Sequence, residues 1–333
     1  MNDSEKNIDI QKRLFEEIQK NLPEQYVLVD IVSDVLNTGL DSAYRRIRCE
    51  KLLSIKEAYT LCKHFKISFD LLMHNKNIHQ FNCDYRPVNI SMPNEYYNYM
   101  LALSKNVEKL KTSGDSNILM SANDIPFFHL TAQKELRLFK VYTWFNSVYN
   151  YADSLDNFMK EIDTPELVGC HQKISKDYEF IPSAEIWTED TINPTLRLIN
   201  YYVDICMFSG KELPLQLCEQ VLSILDKLQI WAGNSGKGAK ATPFQLYLSE
   251  MELENTYILM RRAEMSNCVV KLFTINSLNV YDKDFCMETE HWLTKLSERS
   301  TLLSGNSEKE RIHFFNSQRQ KVHLLMEKIE KSF

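Results

Sequence analysis

Apolar residues between positions 8 and 74 recur three or four places apart in short runs, and this spacing limits the possible folds more than any other feature of the chain. Such spacing is typical of amphipathic helices that bury one face. Ser54, with Glu57 three residues later, predicts a capping box, and Gly39 is expected to end a helix. The runs predict five short helices: Ile8–Asn21, Val27–Asn37, Asp41–Glu50, one opening at Ser54, and Ser68–Met73.

The same spacing predicts which side chains face inward. In the third helix, Tyr44 and Ile47 are expected to pack against the second helix, and Asp41 is expected to be the N-cap. The remaining inward predictions are Ile10, Leu14, Ile18 and Leu22 in the first helix, Leu28, Ile31, Val32, Val35 and Leu36 in the second, and Ile55, Ala58, Tyr59, Cys62 and Phe65 in the fourth.

Charge is distributed unevenly along this region. The whole chain has a net charge of −6, which gives no general attraction for polyanions. Residues 41–66, however, carry seven Lys or Arg residues against three acids, whereas acids exceed bases in residues 1–40. A helix that reads DNA needs a preceding helix to brace it and cations close to the phosphates. The predicted DNA contacts are Asp41, Ser42, Arg45, Arg46, Arg48 and Lys51. The alternative is a helical bundle that does not bind DNA and whose arginines only contact solvent.

The stretch 28–73 reads LVDIVSDVLNTGLDSAYRRIRCEKLLSIKEAYTLCKHFKISFDLLM. It resembles the lambda-repressor-like (Cro/XRE) helix-turn-helix domain, and more closely the BetR-type domain of bacterial regulators. The resemblance rests on the second helix, on SAYRRIRCEK as recognition helix, and on the two helices after it. The turn Asn37–Leu40 is one residue longer than in the commonest repressors, and Cys49-Glu50 replaces their usual residue-Gly pair. The resemblance implies a five-helix DNA-binding bundle and a transcriptional regulator.

The sequence after residue 74 predicts a linker followed by a larger domain. Residues 75–94 are rich in Asn and weakly periodic, so residues 1–74 are the predicted DNA-binding domain and 95–333 a helix-rich α+β sensor or dimerisation domain. This order of elements permits a divergent GAF- or PAS-like sheet, and a wholly helical domain is the alternative. The predicted strands are Ile118–Ser121, Pro126–Leu130, Phe244–Ser249, Tyr257–Arg262 and Val269–Ile275. The predicted helices are Asn94–Lys111, 132–152, Pro194–Phe208, Pro214–Trp231, Asp284–Leu303 and Glu308–Lys331, the last capped by Ser307 with Glu310.

Other candidate sites have weaker patterns. The segment 233–242, GNSGKGAKAT, does not fit a phosphate-binding loop, so we expect a flexible surface loop. Eight cysteines and eight histidines show no metal-ligand spacing, and no catalytic constellation appears, so we expect no metal, no cofactor and no enzyme. Dense aromatic stretches predict core packing, with a ligand cavity as the alternative.

The predicted biology follows from these features. The apolar seam of Phe315, Val322 and Ile329, with Leu325, packs within one subunit or pairs two subunits. We expect a homodimer, because one recognition helix reads only a half-site. A small-molecule effector is the expected signal. Since no stretch approaches 20 apolar residues and no signal peptide pattern is present, we expect a cytoplasmic protein without a membrane span.

Overall fold

The structure is a computed structural model that describes residues 3–20, 22, 26–69, 81, 83–85, 87–88, 93–149, 154–272 and 275–333. Its contacts divide the chain into two compact units, residues 1–82 and 83–333, called here the N-terminal and C-terminal units. The predicted fifth helix after residue 69 and most of the predicted linker 75–94 lie outside the described residues. Within that linker, however, Cys83–Tyr85 forms a strand of the C-terminal unit.

The N-terminal unit contains helices α1 (Asp3–Lys20), α2 (Leu28–Leu36), α3 (Leu40–Ile47) and α4 (Ile55–Phe65). They pack around one apolar core, as the 3.6-residue period predicts. The fully buried members are Leu14, Phe15, Ile18, Val29, Val32, Ala43, Leu61, Cys62 and Ile67. The predicted faces of α1 and α2 are therefore largely confirmed.

The predicted inward face of α4 is partly wrong. Ile55 is 91% exposed and Tyr59 is 63% exposed, whereas Leu61 and Cys62 are buried. The predicted capping box is confirmed, because Ser54 Oγ accepts a hydrogen bond from Glu57 N and Ser54 N donates one to Glu57 Oε2. Ile55 follows this cap in the first turn of the helix, where it lies outside the core.

The C-terminal unit alternates helices and strands. Its helices are α5 (Pro93–Thr112), α6 (Phe127–Leu130), α7 (Lys134–Tyr149), α8 (Leu155–Ile162), α9 (Pro165–Tyr178), α10 (Asn193–Asp204), α11 (Glu212–Gly233), α12 (Lys283–Glu298) and α13 (Glu308–Ser332). Its strands are β1 (Cys83–Tyr85), β2 (Ser116–Ser121), β3 (Ser183–Trp187), β4 (Gly236–Lys237), β5 (Thr242–Leu248), β6 (Tyr257–Arg262), β7 (Met265–Lys271), β8 (Ser277–Val280) and β9 (Thr301–Leu302).

The strands form one mixed sheet in the order β1-β8-β7-β6-β2-β3-β5-β4, with β9 beside β5. Strands β2, β3 and β5 are parallel neighbours, whereas β6, β7, β8 and β1 continue antiparallel from β2. The connections from β2 to β3 and from β3 to β5 advance in the same direction along the sheet. Because such crossovers are almost always right-handed, their helices should lie on one face.

The core confirms this layering. One face of the sheet, including Ile118 and Met120, shares a large apolar cluster with helices α5–α11 and α13. The opposite face, including Leu119 and Ile186, packs against α12 through Cys286 and Leu293. The alternation of residues 118–120 between faces is the period of a strand covered on both sides.

Helix α13 buries its predicted seam within the chain. Phe315, Val322 and Ile329 are fully buried, and α13 packs on α11 and α10. The seam therefore packs on helices of its own chain and is not free to pair two subunits. Ser307 is the N-cap of α13, but its side chain makes no capping hydrogen bond, so the predicted cap with Glu310 is wrong.

The described part of the chain is helix-rich with a nine-stranded mixed sheet, which confirms the helix-rich α+β prediction for the C-terminal unit and excludes the wholly helical alternative. The predicted strand Pro126–Leu130 is wrong, since Phe127–Leu130 is a helical turn. Strands β1, β3, β4, β8 and β9 were not predicted. No helix in the described residues has the length and apolar content needed to cross a membrane.

Candidate functional site

The connection between α2 and α3 is short and internally bonded. Asn37 ends α2 in the left-handed region, with φ 49°, a conformation that Asn adopts more readily than most residues. Ser33 Oγ donates a hydrogen bond to the Thr38 carbonyl at 2.5 Å. Gly39, predicted to end α2, is instead the N-cap of α3 in extended conformation, and the predicted N-cap Asp41 lies in the first turn of α3.

Helix α3 is rotated relative to the predicted face. Ala43 and Arg46 are buried, Ile47 and Ser42 are partly exposed, and Tyr44 is 46% exposed. The expectation that Tyr44 packs inward is therefore wrong. The small Ala43 lies at the contact in its place. The exposed face consists of Leu40, Asp41, Tyr44, Arg45 and Arg48.

Arg46, a predicted DNA contact, is held inside the N-terminal unit. It is 4% exposed, and its NH2 lies 2.5 Å from Glu57 Oε1, while NH1 donates to the carbonyl and the hydroxyl of Ser42. Burial alone would raise the pKa of Glu57, but the hydrogen bonds from Arg46 and Ser54 outweigh it and lower that pKa. Arg46 thus joins α3 to the cap of α4 and has almost no surface left for DNA.

Gln11 of α1 fixes the other end of α3. Its Nε2 donates to the carbonyls of Arg46, at 2.7 Å, and Lys51, at 2.9 Å, and its Oε1 accepts from Leu53 N at 2.8 Å. Gln11 is 6% exposed, and its bonds join α1 to the end of α3 and to the segment that follows α3. Spacing did not identify Gln11, because its partners lie 35 to 42 residues away.

Of the remaining predicted contacts, Ser42 is partly exposed and accepts a hydrogen bond from Arg46, whereas the others are exposed: Asp41, Arg45, Arg48 and Lys51. Arg45 and Lys51 extend into solvent, and the Arg48 guanidinium lies 5.7 Å from the centre of the Tyr44 ring. Arg45 has only a loose ion pair, 3.9 Å from Glu50, with both side chains more than half exposed. A solvated pair of this kind contributes little and leaves the guanidinium available to a phosphate or a base.

A second group of polar residues is buried in the C-terminal unit. Ser183, Glu185 and Trp187 alternate along β3 and share the face covered by the helices. Glu185 is 0% exposed and accepts hydrogen bonds from Tyr178 OH at 2.6 Å, Trp187 Nε1 at 2.8 Å and His129 Nε2 at 2.8 Å. Burial would raise the pKa of Glu185, but the charge of His129 and these hydrogen bonds lower it.

Lys237 extends this buried group. It belonged to the segment predicted as a flexible surface loop, and that prediction is wrong, because Gly236–Lys237 pairs with β5 and Lys237 is 0% exposed. Its Nζ donates to the Ile181 carbonyl at 2.6 Å and to Ser183 Oγ at 2.8 Å. Ser183 is in turn hydrogen-bonded to Tyr178 OH at 2.9 Å, so a continuous chain runs from Lys237 to Glu185 and His129.

Comparison with protein-family models, with curated proteins and with solved structures gave no match. The resemblance of residues 28–73 to lambda-repressor-like and BetR-type domains therefore stays a prediction.

Proposed function

We propose that the protein is a DNA-binding transcriptional regulator of the helix-turn-helix class, with α3 as its recognition helix. The observation that supports this most directly is the exposed face of α3, where Tyr44, Arg45 and Arg48 lie together and Lys51 follows the helix. Arg can donate two hydrogen bonds to guanine or to phosphate, and a Tyr ring can contact bases or sugars. The proposed contact set is therefore Asp41, Ser42, Tyr44, Arg45, Arg48 and Lys51, without Arg46.

The bracing of α3 supports the same proposal. Base-edge readout needs a helix held at a fixed angle. The Arg46–Glu57 pair ties α3 to α4, and Gln11 ties the end of α3 to α1. A purely solvated arginine face has no need of this buried polar network, which connects three helices at one point.

The regulator is proposed to act as a cytoplasmic homodimer, since two half-sites about one DNA turn apart give workable specificity. The C-terminal unit is proposed as the sensor or dimerisation domain, in keeping with the predicted division at residues 75–94. Its sheet contains three parallel neighbouring strands with connecting helices, and the proposed sensor role does not depend on a GAF- or PAS-like sheet.

Binding of the full chain to a labelled duplex, followed by fluorescence anisotropy across a salt series, tests the proposal. Arg45→Ala and Arg48→Ala are each expected to weaken binding about tenfold, the size of one lost charged contact. Where the lost contact is to a phosphate, the slope of log affinity against log salt should decrease by about 0.9. Lys20→Ala, which removes an exposed cation at the end of α1, is the matched control and should bind as the unmodified chain does.

A protein-interaction adaptor without DNA binding is the second candidate. The observation that favours it is an exposed apolar group formed by Leu52, Ile55 and Tyr59, which are 53%, 91% and 63% exposed. Exposed apolar groups of this kind often mark protein interfaces. The adaptor is supported, and DNA binding is refuted, if the full chain shows no affinity for duplex DNA at low salt or if the Arg45 and Arg48 variants bind as tightly as the Lys20 control.

A further inference from the structure

Asp124 lies just beyond β2, at the edge where the three parallel strands β2, β3 and β5 end. Ligands of sheets with parallel strands commonly bind outside this edge. The Asp124 carboxylate accepts three hydrogen bonds: Oδ1 accepts from Ile125 N at 2.8 Å and from Thr195 Oγ1 at 2.7 Å, and Oδ2 accepts from the Lys140 ammonium. Lys140 is itself 8% exposed, whereas the Asp124 side chain is 31% exposed, so only the lysine of this ion pair is withdrawn from water.

Lys271 ends β7 at the same edge of the sheet. Strands β2 and β7 both run antiparallel to β6, so their carboxyl ends coincide. Among the residues that the structure describes, none forms a hydrogen bond or ion pair with Lys271 Nζ, and the Phe127 ring centre lies 6.0 Å away. The side chain is partly exposed, which leaves a path for a small molecule.

Among the described residues, the charges that act on Lys271 do not balance. Burial is the largest influence on the Lys271 pKa and, with Lys140, lowers it to about 8, while Asp124 raises it. In the part of the chain that the structure describes, the two lysines Lys140 and Lys271 therefore share one carboxylate, Asp124, which is already paired with Lys140. An unpaired charge in a poorly hydrated place is unfavourable, and one negative charge at Lys271 would compensate it.

The loop that carries Asp124 is held rigidly. Thr256 Oγ1 donates to Asn123 Oδ1 at 2.7 Å, and Asn123 N donates back to Thr256 Oγ1 at 3.2 Å. Thr191 Oγ1 donates to the Ala122 carbonyl at 2.8 Å. A binding site on such a loop is preorganised, since its side chains do not need to be ordered when the ligand arrives.

We propose that Lys271, beside the Asp124–Lys140 pair, binds the carboxylate group of a small monoanionic ligand. Lys271 Nζ donates to the carboxylate, Lys140 adds a second positive charge, and Asp124 with Thr195 holds Lys140 in place. A monoanion matches the single surplus charge, whereas a phosphate dianion would leave a negative surplus among buried groups. This site does not depend on DNA binding, because all the groups involved belong to the C-terminal unit.

Thermal unfolding of the full chain, followed by tryptophan fluorescence, tests this site. All four tryptophans (Trp144, Trp187, Trp231 and Trp292) lie in the C-terminal unit, so the signal reports on that unit. Sodium benzoate and sodium acetate are the probes, at constant ionic strength with sodium chloride as the reference. Each carboxylate is expected to raise the midpoint, by about 5 °C at a hundredfold excess over its Kd.

The variants separate binding from general salt effects. Lys271→Met should abolish the rise and should unfold at or above the ligand-free midpoint of the unmodified chain, because an unpaired charge is gone. Lys271→Gln is the second variant in case the first does not fold. Lys283→Met removes an exposed lysine and should respond as the unmodified chain does. The proposal is overturned by no rise with either carboxylate, by a rise with inorganic phosphate alone, or by equal rises in the Lys271 variants.

Discussion

The ammonium group of Lys237 lies 3.6 Å from the centre of the Tyr178 ring and has no exposed surface. Burial lowers its pKa to about 7, although Glu185 and Glu179 raise it and Lys227 lowers it further. An ordinary lysine in the unfolded chain titrates near 10.4. Between these two values the unfolded chain holds a proton that the folded chain has lost. Folding stability must therefore rise with pH across this window.

We expect the titration of Lys237 to make the free energy of unfolding depend on pH. From pH 7 to pH 9, Lys237 should add about 2 kcal/mol to the free energy of unfolding, because the difference in bound protons over this window amounts to about 1.7 pKa units of linkage. Lys237→Met should remove this contribution, so the difference between the two chains should change by that amount over the window. Urea unfolding followed by tryptophan fluorescence at each pH measures it. A constant difference between pH 7 and pH 9 would show that Lys237 keeps its proton inside the fold.

Helix α3 ends in a strained residue. Cys49 has φ 60°, in the left-handed region, while Cys49 N donates to the Arg46 carbonyl and Glu50 N donates to the Arg45 carbonyl. Side chains with a Cβ are disfavoured in this region by about 1–2 kcal/mol, and glycine is the residue that adopts it readily.

We expect replacement of Cys49 to change the stability of the N-terminal unit. Cys49→Gly should raise the free energy of unfolding of the N-terminal unit by up to about 1 kcal/mol, less than the strain because glycine loses more backbone entropy on folding. Cys49→Val should lower it, since a β-branched residue fits the left-handed region poorly. Far-ultraviolet circular dichroism of the full chain measures both. If the glycine variant is the less stable of the two, the backbone at residue 49 does not have this conformation.

Helices α2 and α3 show what periodicity can predict and what it cannot. The pattern predicted that both helices exist, because apolar spacing is a local property. It assigned Arg46 to the outside, because the partner that allows Arg46 to be buried, Glu57, lies 11 residues away. It also took Tyr44 as core, although the small Ala43 is the residue that packs. Three of the four predicted cations of the site, Arg45, Arg48 and Lys51, are nevertheless exposed.

Strand β3 was missed for a related reason. Its sequence Ser183–Trp187 places Ser and Glu at positions that face the helices, so the apolar alternation of a buried strand is broken. Only the folded chain brings His129, Tyr178 and Lys237 to Glu185 and satisfies it. Long-range polar pairing of this kind has no signature in a single sequence, and the Asp124–Lys140–Lys271 group was invisible for the same reason.

At the scale of the whole molecule, the two proposed sites lie in different units. The N-terminal unit contains no tryptophan, so a transition that circular dichroism detects and tryptophan fluorescence does not belongs to that unit. Duplex DNA should raise the midpoint of the transition that circular dichroism detects in the N-terminal unit. Benzoate should raise the midpoint that tryptophan fluorescence detects.

A regulator that senses its ligand also needs the two sites to affect each other, and such coupling is reciprocal. We expect saturating benzoate to change the Kd for duplex DNA about fivefold or more, and DNA to change the Kd for benzoate by the same factor. Lys271→Met should abolish this change while it leaves DNA binding intact, and Arg45→Ala with Arg48→Ala should leave benzoate binding intact. Anisotropy titrations with and without benzoate measure the first factor, and fluorescence titrations with and without DNA measure the second. If both sites bind but neither Kd changes when the other ligand is present, the two units act separately. A ligand that binds two conformations of a protein equally well cannot change the populations of those conformations.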